Sequence, residues 1–166
     1  MLDWFRKLKE KTDLKLLLKC VAIPLVVGAI SAFVTRSGMK AFEDMNQPPL
    51  TPPQWVFPVV WSILYIFMGI ASYLVAVSGA TEEDKKKANT FYFYQLVVNF
   101  LWPVFFFQFQ WFLFAFLWLV LLLVLVFITK KLFCAIDKRA GYLFFPYMIW
   151  LIFAGYLNLG VWILNR

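Results

Sequence analysis

Histidine is absent from this chain. Its absence removes the commonest metal ligand and the commonest general base near neutral pH. Cysteine is nearly as scarce: Cys20 and Cys134 are the only two, they stand far apart, and they form no metal-ligand pattern. No metal site is therefore expected. Charge is missing over long distances, with no Asp, Glu, Lys or Arg from Ala88 to Thr129 or from Ala140 to Asn165. Such gaps argue against a soluble domain, and they leave no machinery for a pump or relay built on intramembrane ionisable groups. Hydrolytic chemistry lacks its parts as well, since no Ser–His, Cys–His or paired-carboxylate constellation is visible.

What is present is overwhelmingly apolar: 63% of residues are hydrophobic and 21% aromatic, and only 15% are charged. A hydrocarbon layer about 30 Å thick calls for about 20 apolar residues in a helix. The sequence offers five such stretches, near 16–35, 56–77, 90–109, 111–129 and 141–164, after a basic segment at 1–15. They do not alternate as the strands of a membrane barrel would. The expected fold class is all-α, an integral membrane bundle of five transmembrane helices. The first 15 residues are too charged for a secretory leader, so the first span is expected to be retained.

The sixteen Lys and Arg residues sort by side. With the N-terminus inside, the inner segments hold Arg6, Lys7, Lys9, Lys11, Lys15, Lys19, Lys85, Lys86, Lys87, Lys130, Lys131, Lys138 and Arg139. The outer side holds Arg36, Lys40 and Arg166. That asymmetry places the N-terminus in the cytoplasm and the C-terminus outside. The same scatter of charge, flanking spans instead of forming one patch, makes membrane lipid the expected partner and excludes nucleic acid.

The longest connection, 36–55, carries "NQPPLTPPQW", whose four prolines favour stiff, extended backbone. A loop of this length is expected to act as a lid over the bundle. "SGATEEDKKK" is read as a solvated turn, and the third and fourth spans, joined by "QFQW", must be antiparallel neighbours.

Polar groups inside the spans point to a site. On the third span Gln95, Asn99, Trp102 and Phe106 share one helical face. Pro103 cannot donate to the carbonyl of Asn99, so both ends of that residue need partners. Trp150, Ala154, Leu157 and Asn158 share a face on the fifth span, and Trp61, Tyr65, Met68 and Ser72 on the second. Trp4, Trp55, Trp111 and Trp162 lie near span ends, where interfacial belts are expected. Trp61, Trp102, Trp118 and Trp150 lie deeper. A deep indole offers a flat apolar face and one donor, so these four describe a cavity for a large planar molecule oriented by Asn99 and Asn158.

The segments "PPQWVFPVVWSILYIFMG", "NFLWPVFF" and "PYMIWLIFAGYLN" together resemble the tryptophan-rich sensory protein (TspO), or translocator protein, family in its bacterial form. The likeness runs from about Ile23 to Trp162. It implies a five-helix bundle, usually a homodimer, in the bacterial cytoplasmic membrane, binding protoporphyrin IX or a related tetrapyrrole as ligand with no obligatory cofactor. By motif, Trp61 and Trp150 match the tryptophan pair linked to light-dependent porphyrin oxidation, and would be the catalytic residues if such turnover occurs. Tyr65, Asn99, Trp102, Ala154, Leu157 and Asn158 match pocket positions; Pro48, Pro52 and Pro53, with the neighbouring Trp55, form the lid. Arg36 and Lys40 would contact the propionates. Ala41-Phe42 stands where relatives carry Trp-Tyr, Gln47 where Lys is common, and Trp118 where an acid is frequent. The fifth span ends in "LNLGVWILNR" without the tyrosine of the proposed cholesterol motif, so cholesterol is not an expected partner. Tetrapyrrole sensing, regulation or handling is the leading expectation, with photochemical degradation and passive transport as alternatives.

Overall fold

The computed structural model describes residues 13–42 and 44–166, so Trp4 and the basic residues Arg6, Lys7, Lys9 and Lys11 lie outside the described part. Helix α1 spans Leu14–Phe42, α2 Val56–Ala76 and α3 Glu82–Pro103, which continues as a π-helical turn over Val104–Gln108. Helix α4 spans Phe112–Ile136, the short α5 Lys138–Tyr142 and α6 Phe145–Leu164. Every element among the described residues is helical, and five stretches are long and apolar enough to cross a membrane. This is the all-α bundle expected from the apolar runs. The helices close a ring: α1 packs on α2 and α3, α3 on α4, α4 on α5 and α6, and α5 returns to α2.

Three boundaries differ from expectation. Helix α1 runs through Phe42, so Arg36 and Lys40 stand on helix and the connecting loop is described only over 44–55. The acidic-basic stretch read as a turn begins α3 instead. Thr81 caps it, its hydroxyl accepting from the Asp84 amide at 3.1 Å, and Glu82, Glu83 and Asp84 place negative charge on the first turn. The fifth span is split, because α5 opens at a second cap where Asp137 accepts from the Arg139 amide at 2.8 Å. Helix α2 begins at Val56, two residues before Pro58, which fits in a first turn where backbone donors have no helical partner.

Pro103 marks the main irregularity. Past it the Val104 amide bonds back to Leu101, not to Phe100, so the Phe100 carbonyl is released and accepts from Ser31 Oγ on α1 at 3.1 Å. The following π turn ends where the Phe109 amide reaches Val104 and Gln110 turns left-handed, φ 56°. Backbone groups freed inside an apolar medium must be met within the protein, and here a serine of the neighbouring helix meets one.

Helices α1 and α2 approach closely near the end that carries Lys85–Lys87. A Cβ on Gly69 would overlap the Val21 backbone, and one on Gly28 would overlap the Tyr65 ring. Pro24 lies between these two contacts. At the opposite end the loop 44–55 is tied to α6. Asn165 Nδ2 donates to the Asn46 carbonyl at 2.8 Å and its Oδ1 accepts from the Asn46 amide at 3.1 Å. Tyr156 donates to the Pro49 carbonyl at 2.8 Å, and Pro48 lies against Gly160, which has no Cβ to displace it. Pro49 and Leu50 (φ 67°) form the corner of a type II turn closed by the Thr51 amide on the Pro48 carbonyl. Trp55 and Trp111 are exposed at this same end, as interfacial belt residues.

Candidate functional site

A cavity of about 410 Å³ lies between α1, α2 and α3, toward the loop end. That volume is within the roughly 300–1,000 Å³ range of small-molecule sites. Its aromatic wall is built by sequence spacing. Trp61 and Tyr65 sit one turn apart on α2 with rings 5.6 Å apart, and Trp102 of α3 faces Trp61 at 6.4 Å. The opposite wall is α1: Leu25, Gly28, Ser31, Ala32, Thr35 and Met39 share its inward face.

Below the cavity runs a buried chain of hydrogen bonds. Tyr65 donates to Asn99 Oδ1 at 2.7 Å, Asn99 Nδ2 donates to the Tyr147 hydroxyl at 2.7 Å, and Tyr147 donates to Gln95 Oε1 at 3.3 Å. Three helices are thereby fastened through one amide. Trp61 also packs edge-on against Tyr147, ring centroids 6.0 Å apart. Two hydroxyls of the α1 wall are engaged too: Ser31 bonds Phe100, and Thr35 donates to the Ser31 carbonyl at 2.9 Å. The Trp61 indole N–H makes no hydrogen bond among the described residues, although the indoles of Trp102 and Trp118 do.

A smaller cavity of about 50 Å³ adjoins the first, with Met39, Phe57, Trp102 and Phe107 lining both. Ala154, Leu157 and Asn158 line it from α6, and Thr51 and Gln54 from the loop. Asn158 is fixed from two sides: its Oδ1 accepts from Trp102 Nε1 at 3.2 Å, and its Nδ2 donates to the Phe112 carbonyl at 2.8 Å.

The structure thus brings together Trp61, Tyr65, Asn99 and Trp102 around the larger cavity and Ala154, Leu157 and Asn158 around the smaller, with Trp102 in both. It does not bring all the expected residues there. Trp118 lines neither. Its indole donates to the Val98 carbonyl at 2.8 Å and its ring packs on Phe105 and Phe114, so it seals α3 to α4. Trp150 stands behind Phe57, rings 5.9 Å apart, and reaches neither cavity; its buried Nε1 has no partner among the described residues. Of the lid residues, Pro48 is buried on α6, whereas Pro52, Pro53 and Trp55 line no cavity. Arg36 lies over the Phe33 ring at 4.5 Å and, like Lys40, is exposed on α1 outside the lining.

Two contributions escaped the sequence reading. Tyr147 gave no signal beyond a tyrosine in an aromatic segment. The face of α1 did leave a trace, in the spacing of Gly28, Ser31, Ala32 and Thr35, small residues at helical intervals in an otherwise bulky span. Among the described residues no group of His, Cys, Asp and Glu is placed to hold a metal ion.

A bundle of five apolar helices, each long enough to cross a membrane, with an aromatic cavity toward the end of a tethered loop, defines the class: an integral membrane protein. The family profile described as TspO/MBR matches residues 20–163. Protein CrtK of Rhodobacter capsulatus is 40% identical over 75% of this chain and 78% of its own length. Tryptophan-rich protein TspO of Archaeoglobus fulgidus is 32% identical over 92% of this chain and 97% of its own, and the Homo sapiens translocator protein 34% identical over 80% and 79%. The chain belongs to the TspO/MBR family.

Proposed function

We propose that the protein binds a porphyrin-type tetrapyrrole such as protoporphyrin IX in the larger cavity, as part of tetrapyrrole sensing, regulation or handling. The observation that carries the reading is the pair of indole faces, Trp61 and Trp102, 6.4 Å apart and tilted 33°, forming one wall of a cavity whose other wall is small aliphatic and hydroxyl residues. Such a space fits a flat ring system better than a branched lipid tail, and contact with indole faces supplies stacking beyond simple burial. The side chains of Ser31, Thr35, Tyr65 and Asn99 are all satisfied within the protein, so affinity comes mainly from apolar contact. Acidic substituents of the ligand extend toward the loop end, where Arg36 and Lys40 stand. The N-terminus lies in the cytoplasm, as the basic residues gathered at the other end support. A second copy packs on the outward face of α3, where Phe93, Tyr94 and Val97 are exposed, and crosslinking in the native membrane checks that contact.

The test is titration of the reconstituted protein with protoporphyrin IX, read by tryptophan fluorescence. Saturable quenching in the micromolar range is expected. An unchanged signal at tens of micromolar ligand overturns the reading.

A further inference from the structure

The larger cavity is not sealed from the side. Four of its lining residues, Ala29 and Ala32 on α1 and Pro58 and Ser62 on α2, are exposed, and they occupy the facing edges of the two helices. Toward the basic end the same helices leave no gap: Gly69 lies on the Val21 backbone, and Gly28 on the Tyr65 ring. Pro24 sits inside α1 just above the Gly69 contact, and an interior proline removes a backbone bond and bends its helix. Past the Gly28 contact, toward the loop end, the facing edges of the pair carry exposed alanines, a proline and a serine. At the loop end the connection is tied down. Loop 44–55 is held on α6 by both ends of the Asn165 amide, by Tyr156 and by the seat of Pro48 on Gly160.

We propose that this cavity is loaded sideways from the membrane, through the seam between α1 and α2 at Ala29, Ala32, Pro58 and Ser62, and not from water beneath the loop. The inference rests on the binding reading above and adds the route and the ligand's physical state. The ligand is a flat apolar molecule already dissolved in the leaflet at the loop end. Its anionic end rides near the headgroups, where Arg36, on the same stripe of α1 as Ala29 and Ala32, meets it as it enters. Small residues on both edges keep the passage open, because any larger side chain at those positions would span it.

The experiment measures the association rate of protoporphyrin IX with protein in phosphatidylcholine vesicles, by stopped-flow tryptophan quenching. Ala29→Phe and Ala32→Phe, and Ser62→Phe from the opposite helix, are each expected to slow association about tenfold, with a smaller change in equilibrium affinity because dissociation slows as well. Ile30→Phe places the same ring on the exposed outer face of α1, away from the seam, and keeps the rate within about twofold of the parent. Asn165→Ala, which removes the loop latch, also leaves the rate unchanged. Unaltered rates in all three seam variants, or acceleration in Asn165→Ala, overturn lateral loading while leaving binding intact. Absence of quenching in the parent protein overturns the binding reading itself.

Discussion

The hydroxyl of Tyr65 donates to Asn99 Oδ1 at 2.7 Å, and this bond joins the floor of the cavity to the interior of the bundle. Because Asn99 in turn donates to Tyr147 on α6, one side chain orients two aromatic rings, and both rings pack on Trp61. The amide is shared between binding wall and scaffold.

Removing that amide leaves the Tyr65 hydroxyl buried without its acceptor. Asn99→Ala is expected to destabilise by about 1–3 kcal/mol, the cost of unpaired buried groups. Tyr65→Phe deletes only one end of a pair and is expected to cost about 0.6 kcal/mol, the average for hydrogen bonds inside membrane bundles. Thermal unfolding in detergent separates the two. Equal shifts would show that the network is not organised around Asn99.

Gly69 and Gly79 make a matched pair. A methyl group on Gly69 meets the Val21 backbone, which cannot turn aside, so Gly69→Ala is expected to cost about 1–3 kcal/mol through forced separation of α1 and α2. Nothing lies within 4 Å of the Cβ position on Gly79, and Gly79→Ala is expected to be neutral within about 0.5 kcal/mol. Urea or thermal melts of the two variants check the contrast.

The two tryptophans of the family motif are expected to behave differently. Trp61 forms cavity wall and Trp150 stands behind Phe57. Trp61→Phe should weaken protoporphyrin IX binding and reduce the maximal quenching. Trp150→Phe should leave the affinity within about threefold, a change under about 1 kcal/mol. Fluorescence titration of both variants decides this, and an equal loss of affinity in the two would place Trp150 in contact with the ligand.

With no histidine in the chain to offer an axial ligand, binding should favour the metal-free porphyrin over haem. Competition of haem against protoporphyrin IX, read by displacement, is the measurement. Displacement by haem at lower concentration than by the free base would contradict it.

At the basic end, Arg139 holds the Asp137 carboxyl below its ordinary range, first through their side-chain hydrogen bond and then through the Arg139 amide. A carboxyl depressed in the folded state stabilises above its unfolded pKa, about 3.9, and loses that contribution as pH falls through the folded value. Asp137→Asn should therefore lower the melting temperature slightly at pH 7. The difference should fade as pH drops below about 4, which melting curves across that range would show.

The apolar runs and their charge gaps determined five helical spans, because a chain in lipid must satisfy its backbone within each span. Periodicity in α2 and α3 also placed Trp61, Tyr65, Asn99 and Trp102 on inward faces, since residues three and four apart share a face in any helix. Only the tertiary structure decided which faces meet. Trp118 and Trp150 lie as deep in their spans as Trp61, yet depth does not fix direction: one seals α3 to α4 and the other is screened by Phe57. The fold likewise recruited the small side chains of α1, which carry no chemical signature, and it opened the seam between α1 and α2. Those choices depend on the close contacts at Gly28 and Gly69 and on the bend expected at Pro24, that is, on distances between helices that spacing along one helix cannot encode.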